Sequence, residues 1–434
     1  MFTRKRRSPL PEWVTPLNYA VAALVAGLSL PRLEHLLLPQ LTSSVSVAVA
    51  LTLFSSITSG MIALTGIVFS LAFVMVQFSA VAYSPRLVLW VSRDPVIWHS
   101  IGIFTATFLY AIGAAAWVDR AGSGKVPFLT TWLVIILMLA SVAMFIALIQ
   151  RVGLLQINRM LVFTGNLGRE VIEQLYLPLE TAPSIPRSGE FAQSVVTQTV
   201  FHSGGPQALQ SIDVPALLAL ATQAGGSVEV VASVGDTLIA GMPLLHVFGG
   251  KHVIEADTWT KVFQTGPDRT FDQDPKYALR LLVDIAIKAL SPAINDPTTA
   301  VQALDQIQDL LFRLGRRRLE IGAVRDNQGV SRLIVPYPTW EDFLRLAFDE
   351  IRFCGATSVQ VMRRMKALIS DLIAVLPAER HPGLEHHLKR LDATVARSFA
   401  DDEEKREASV EDRQGLGVAL RRLGGRSHQP GMRT

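Results

Sequence analysis

Four apolar blocks crowd the first third of the chain, near residues 13–31, 58–82, 97–118 and 127–149, and none recurs in the longer remainder. Each has about the 20 residues that a helix rising ~1.5 Å per residue needs to cross a ~30 Å hydrocarbon core. That fixes the solvent before any fold is considered: the front of the chain folds in lipid and the back in water. The expected architecture is a membrane all-α bundle of four transmembrane helices over 1–155. An α+β cytoplasmic region follows, with a helical linker over 156–187, a small β-rich, barrel-sandwich-like module over 188–265 and a helical part over 266–400. The charged, Gly/Arg-rich end, 401–434, is expected to be disordered.

Overall composition blurs this division. A hydrophobic fraction of 50% and a charged fraction of 18% average a nearly charge-free front with a charge-rich back. The net charge of +4 is not a nucleic-acid signature, because Arg4-Lys5-Arg6-Arg7 abuts the first apolar block, where basic residues signal topology. Cys354 is the only cysteine, so no intrachain disulfide forms and no oxidising compartment is needed. The N-terminus lacks the short apolar core and small-residue cleavage site of a secretory signal, so the first block is expected to stay attached.

Orientation follows from the loops. Arg4 to Arg7, then Arg86 and Arg93, then Arg151, Arg159 and Arg169 fall on one side; Arg32, Arg120 and Lys125 fall on the other, partly offset by Glu34 and Asp119. The excess places both termini in the cytoplasm of an inner membrane. Leu41 to Ala82 contains no charge, and as one helix it would run ~63 Å, twice a bilayer. Two spans there would strand Arg86 and Arg93 outside, so 41–57 reads as a helical extension of a single second span.

That second span carries the most informative face. Ser59, Ala63, Gly66, Ser70 and Gln77 recur at helical spacings, interrupted by Phe73. Small residues let helices approach closely in lipid, and hydroxyls with a glutamine can also line a pore. No Asp, Glu, Lys or Arg lies within spans two to four, which argues against a proton relay or a charge-coupled pump. Ser84 and Arg86 follow in a short Pro-containing loop and join the candidate ligand or partner site.

In the soluble part, Gln193 to Phe201 and Ser227 to Val234 read as strands, and Val214 to Ala224 as a helix behind an Asp213 cap. Gly235 and Gly241 read as turns around a short strand. His246 and His252 lack the partners of a metal site, and no catalytic, cofactor or metal residues are assigned. Asp274-Pro275 and Asp296-Pro297 each place a capping carboxylate before a proline at the first helical position. Caps leave Arg269, Asn295, Thr298 and Thr299 unexplained; with Asp296, these are candidates to bind an anion or a partner loop.

Gly60-Met61-Ile62, Val68-Phe69-Ser70, Ser84-Pro85-Arg86, Gly235-Asp236 with Gly241, and the run from Ala289 to Ala300 together resemble the DUF2254 family of predicted bacterial membrane proteins. The resemblance covers most of 15–395. Two positions depart from it: Ala147-Leu148-Ile149-Gln150, where the family often shows histidines, and Gly205-Pro206, where it tends to carry an aromatic. It implies architecture, not a reaction. Two functions are expected from these observations, an oligomeric channel or passive conduit and a membrane-anchored sensor or scaffold. The expected partners are the lipid bilayer, further copies of the chain, and a cytoplasmic ligand or protein. Enzyme chemistry is disfavoured, since no GxSxG, HExxH, CxxC or complete phosphate loop occurs.

Overall fold

The apolar runs become four long helices: α1 (Val14–Leu37), which accommodates Pro31 in its interior, α2 (Val47–Ala82), α3 (Pro95–Ala115) and α4 (Phe128–Val152). A computed structural model describes residues 13–38, 40–41, 43–82, 95–119, 124–152, 157–179 and 195–417. It divides the chain into two compact units, Met1–Met160 and Leu161–Thr434. By length and composition, all four helices are able to cross a membrane. Helix α2 runs unbroken for 36 residues, about 54 Å. Residues 47–57, read from sequence as an extension, therefore belong to the same helix as the second span. They carry much of its packing, because Ala50, Phe54 and Ile57 are buried against Tyr110, Ala111 and Ala114 of α3.

The close crossing in this bundle is between α1 and α3. A Cβ added to Gly113 would stand 3.0 Å from the Gly27 backbone, and one on Gly102 would strike the Tyr19 ring. Glycine here lets two backbones touch, the usual device for helix association in lipid. Helices α3 and α4 are joined by a buried Thr107–Ser141 hydroxyl pair at 2.9 Å. Glu34, near the end of α1, is only 5% exposed. Its carboxylate accepts from Leu129 N at 2.8 Å, Thr130 N at 3.0 Å and Thr130 Oγ1 at 2.8 Å. The first turn of α4 thus takes its capping group from a different helix, and the dipole there favours the negative charge.

In the second unit, α5 (Ile157–Leu175) is more than a linker. Arg169 Nε donates to Asp309 at 2.6 Å, and a Cβ at Gly168 would fall 3.0 Å from Ala278, so this helix packs tightly on the helices that follow. The β module contains β1 (Val196–Phe201), β2 (Gln207–Ile212), α6 (Val214–Ala224), β3 (Ser227–Val230), β4 (Thr237–Leu238), β5 (Pro243–Phe248), α7 (Ala256–Thr260) and β6 (Phe263–Gly266). Asp213 caps α6 as its sequence predicts, accepting from Ala216 N at 3.0 Å. Next come α8 (Pro275–Ala289), α9 (Pro297–Gly315), β7 (Ala323–Arg325), β8 (Ser331–Ile334), α10 (Trp340–Cys354), α11 (Val359–Val375), α12 (His381–Ser398) and α13 (Asp402–Ala408).

The strands form two open sheets, β1-β5-β3-β8-β7 and β4-β2-β6, with no closed barrel among the described residues. Only β3 and β8 are parallel, Val228 facing Leu333. The hairpin of β7 and β8 lies in a stretch whose sequence reads as helical, so the module borrows two strands from beyond its expected end. Asp326 closes that hairpin by accepting from Gln328 N and Val330 N, and Arg332 binds its other oxygen at 2.9 Å. Val200, Leu209, Leu217, Val228, Leu245, Trp259 and Leu333 are among the residues of the shared core.

Of the segment expected to be disordered from 401 onward, residues 401–417 are ordered here, and 418–434 lie outside the described residues. Asp401 caps α13, Ala408 is buried, and Arg413 forms a two-point ion pair with Asp371 on α11 at 2.8 Å. Charge in that segment is spent on specific partners.

Candidate functional site

In the first unit the candidate stripe is defined by which way α2 faces. At ~100° per residue, Ser59, Ala63, Gly66, Ser70 and Gln77 lie within about 40° of one line along the helix. Ala50, Phe54, Ile57 and Val68, the buried residues, lie within about 40° of the opposite line. All five stripe residues are exposed, and a Cβ built on Gly60 or Gly66 meets nothing within 4 Å. The stripe therefore packs against no other helix among the described residues. Flanking it are Ile62, Ile67, Phe69 and Phe73, each more than half exposed and apolar enough for lipid. Ser84 and Arg86 lie outside the described residues.

In the second unit the sequence candidates separate. Arg269 and Asp274 lie at the start of α8, and Asn295 to Thr299 lie beyond its end. Fifteen residues of helix put about 22 Å between the two groups. They form two local structures, not one site.

The first is a buried joint between the β module and α8. Arg269 donates from Nε and Nη2 to the same Asp274 oxygen, at 2.8 and 2.6 Å. The other Asp274 oxygen accepts from Tyr277 N at 3.1 Å and caps the helix. The guanidinium also stacks over the Tyr277 ring, 5.1 Å from its centroid. Gly235, in the preceding turn at φ +93°, touches this pair so closely that a Cβ would fall 2.6 Å from Asp274 Oδ2. Gln273 adds an amide clasp, accepting from Ile212 N and donating to Ile212 O at the end of β2. Burial pushes the Asp274 carboxyl above its usual range, and Arg269 draws it part of the way back. Burial also raises the Tyr176 phenol, with Tyr337 and Asp274 adding to the effect. Gly235-Asp236 and Arg269–Asp274, separate motifs in the sequence, are thus one contact in the fold.

The second structure is the turn between α8 and α9. Asn295 adopts φ +50°, the left-handed conformation that Asn tolerates best among side-chain-bearing residues. Asp296 N then bonds Ala289 O at 2.8 Å and closes the end of α8. Asp296 caps α9 through Thr299 N at 3.1 Å and also accepts from the Thr299 hydroxyl at 2.6 Å. Asn295 and Thr298 are exposed, beside an Ile294 that is 44% exposed.

The histidines of the C-terminal helices differ in their surroundings. His381 caps α11, with Nε2 2.9 Å from Leu376 O, whereas His387 is buried at 4% exposure against Phe348. His246 pairs with Thr199 at 3.0 Å. No cluster of metal-ligating side chains occurs among the described residues. A groove of about 750 Å³ runs between α9 and α11, but its charged residues are already paired, Arg364 with Asp305 and Arg413 with Asp371.

The family model described as "Predicted membrane protein (DUF2254)" matches residues 11–371. An uncharacterized protein of Mycobacterium bovis and one of Mycobacterium tuberculosis are each 28% identical over 368 residues. The match covers 80% of this chain and 68% of each relative. No solved structure matches the chain.

Proposed function

Because the chain belongs to the DUF2254 family of predicted membrane proteins, we propose that it acts in the bilayer as an oligomer of identical subunits. Its α2 helices meet around a passive conduit, and its second unit regulates that conduit from the cytoplasm. One observation carries this reading: the small and hydroxyl-bearing stripe of α2 lies opposite the face by which α2 packs into its own bundle. In lipid such a stripe is best satisfied by a neighbouring helix or by a hydrated path. The absence of Asp, Glu, Lys and Arg from α2 and α3, and from α4 up to Arg151, favours passive flow over charge-coupled transport. The basic loops support an inner-membrane location with both termini on the cytoplasmic side.

The purified chain in planar bilayers is expected to pass current, and Ser70→Leu and Gln77→Leu to change its conductance. In a Cys354→Ser background, single cysteines at Ser59 or Gly66 are expected to crosslink two copies, whereas one at the buried Phe54 does not. Silent bilayers containing a folded, crosslinkable oligomer would leave the stripe as packing alone and end the conduit reading.

The exposed turn bearing Ile294, Asn295 and Thr298 favours a second reading, a membrane-anchored scaffold that takes a partner there. A photocrosslinker at Asn295 in living cells is expected to capture that partner. Capture of lipid alone, or of nothing, would count against it.

A further inference from the structure

On the seam between α10 and α12, one carboxylate, that of Asp349, faces two arginines, Arg390 and Arg352. Asp349 Oδ1 accepts from Arg390 Nη1 at 2.7 Å. The same oxygen stands 4.0 Å from Arg352 Nη2 and 3.8 Å from His387 Nδ1, both too far for a hydrogen bond. Arg352 spends Nη1 on the Thr394 hydroxyl at 2.6 Å, while its Nε is buried without a hydrogen-bond partner, as is His387 Nδ1. Arg397 spends Nε on Ala393 O of its own helix at 3.1 Å and makes no ion pair among the described residues. Arg390 and Arg397 are seven residues apart, two turns along one side of α12. Burial, then Arg390 and Arg397, hold the Arg352 guanidinium below its ordinary pKa, with Asp349 opposing them.

The seam is therefore short of acceptors and carries surplus positive charge. Its donors are guanidiniums, whose planar forks match the oxygens of phosphate. A single carboxylate would leave two of the three charges uncompensated, whereas a phosphate dianion accepts from several at once.

We propose that the α10–α12 seam is a phosphate-binding site, formed by Arg352 and Arg390 beside Asp349 and completed by Arg397 two turns further along α12. The ligand is a phosphate group, carried by a soluble phosphate ester or by an anionic phospholipid headgroup. No residue of α2 takes part, so this site and the conduit stand or fall separately.

The test uses the full chain at constant ionic strength, read by thermal unfolding and calorimetry. One arm titrates inorganic phosphate and pyrophosphate into protein in neutral detergent. The other compares nanodiscs of phosphatidylcholine with nanodiscs containing phosphatidylglycerol, without soluble phosphate. Arg397 is exposed, so Arg397→Gln keeps the fold and is expected to weaken binding about tenfold, and Arg352→Gln at least as much. Arg406→Gln, on α13, is expected to change nothing. A response in the first arm that Arg397→Gln weakens identifies a soluble ligand; one confined to the second arm identifies a lipid. If neither arm responds, or if Arg397→Gln responds as the unsubstituted chain does, the proposal is overturned.

Discussion

Two glycines of the membrane unit have opposite surroundings, and substitution distinguishes them. At Gly113 an added methyl would press on the Gly27 backbone at 3.0 Å, where nothing can move aside cheaply. Gly113→Ala is therefore expected to cost about 1–3 kcal/mol of bundle stability, measurable as unfolding in detergent. At Gly66 a methyl meets open space among the described residues. Gly66→Ala should leave the monomer unchanged or up to about 1 kcal/mol more stable, yet weaken association if copies meet along α2. The second residue-scale prediction concerns His387. Burial holds its pKa down to about 4, against an ordinary 6.5. The unfolded chain therefore binds this proton first as pH falls. The stability tied to neutral His387 is complete above pH ~6.5 and is lost between there and pH ~4, by up to about 3 kcal/mol. His387→Gln is expected to flatten that part of a pH–stability curve; an unchanged slope would assign the loss to other groups.

Helix α8 shows how far local signals reach. Its start at Asp274-Pro275 and the start of α9 at Asp296-Pro297 are legible because a cap followed by proline is a contact within four residues. The same is true of α6 behind Asp213 and of the Gly235 and Gly241 turns. What those signals do not carry is which elements meet. Gly235 and Asp274 are 39 positions apart, and nothing between them announces that the turn will rest on the ion pair. Arg269, left over once caps were subtracted, proves to be the counter-ion that a buried carboxylate requires. The β7–β8 hairpin escapes for a related reason: its strands of three and four residues are too short for an alternation pattern, and β8 pairs in parallel with a strand about a hundred positions earlier. The joint itself is testable. Gly235→Ala combines an unfavourable φ of +93° with a clash against Asp274, and Asp274→Ala removes a cap while leaving Arg269 unpaired. Each is expected to cost about 2–4 kcal/mol, seen as a lower unfolding midpoint. A tolerated Gly235→Ala would mean that the turn can lift away from α8.

At the scale of the whole chain, the four apolar blocks were legible by length and hydropathy alone, but their division of labour was not. Small residues occur in all of them, and periodicity cannot tell a face turned toward a sister helix from one turned away. Ala23 with Gly27 and Ala106 with Gly113 form the close contact inside the bundle, while the more conspicuous stripe of α2 faces outward. The cap that Glu34 supplies to α4 adds a constraint of timing. The carboxylate and the amide it serves are 95 positions apart. At ~5–20 residues per second, a ribosome takes about 5 to 20 s to make the intervening chain. During that interval α1 carries a charge with no partner, which holds its end at the water-facing border of the bilayer. The fourth helix then completes the bundle by supplying the missing donors. Glu34→Ala should cost the finished protein about 2 kcal/mol, yet ease insertion of a nascent chain arrested before α4. The assembled molecule and its half-made precursor thus place opposite demands on one side chain.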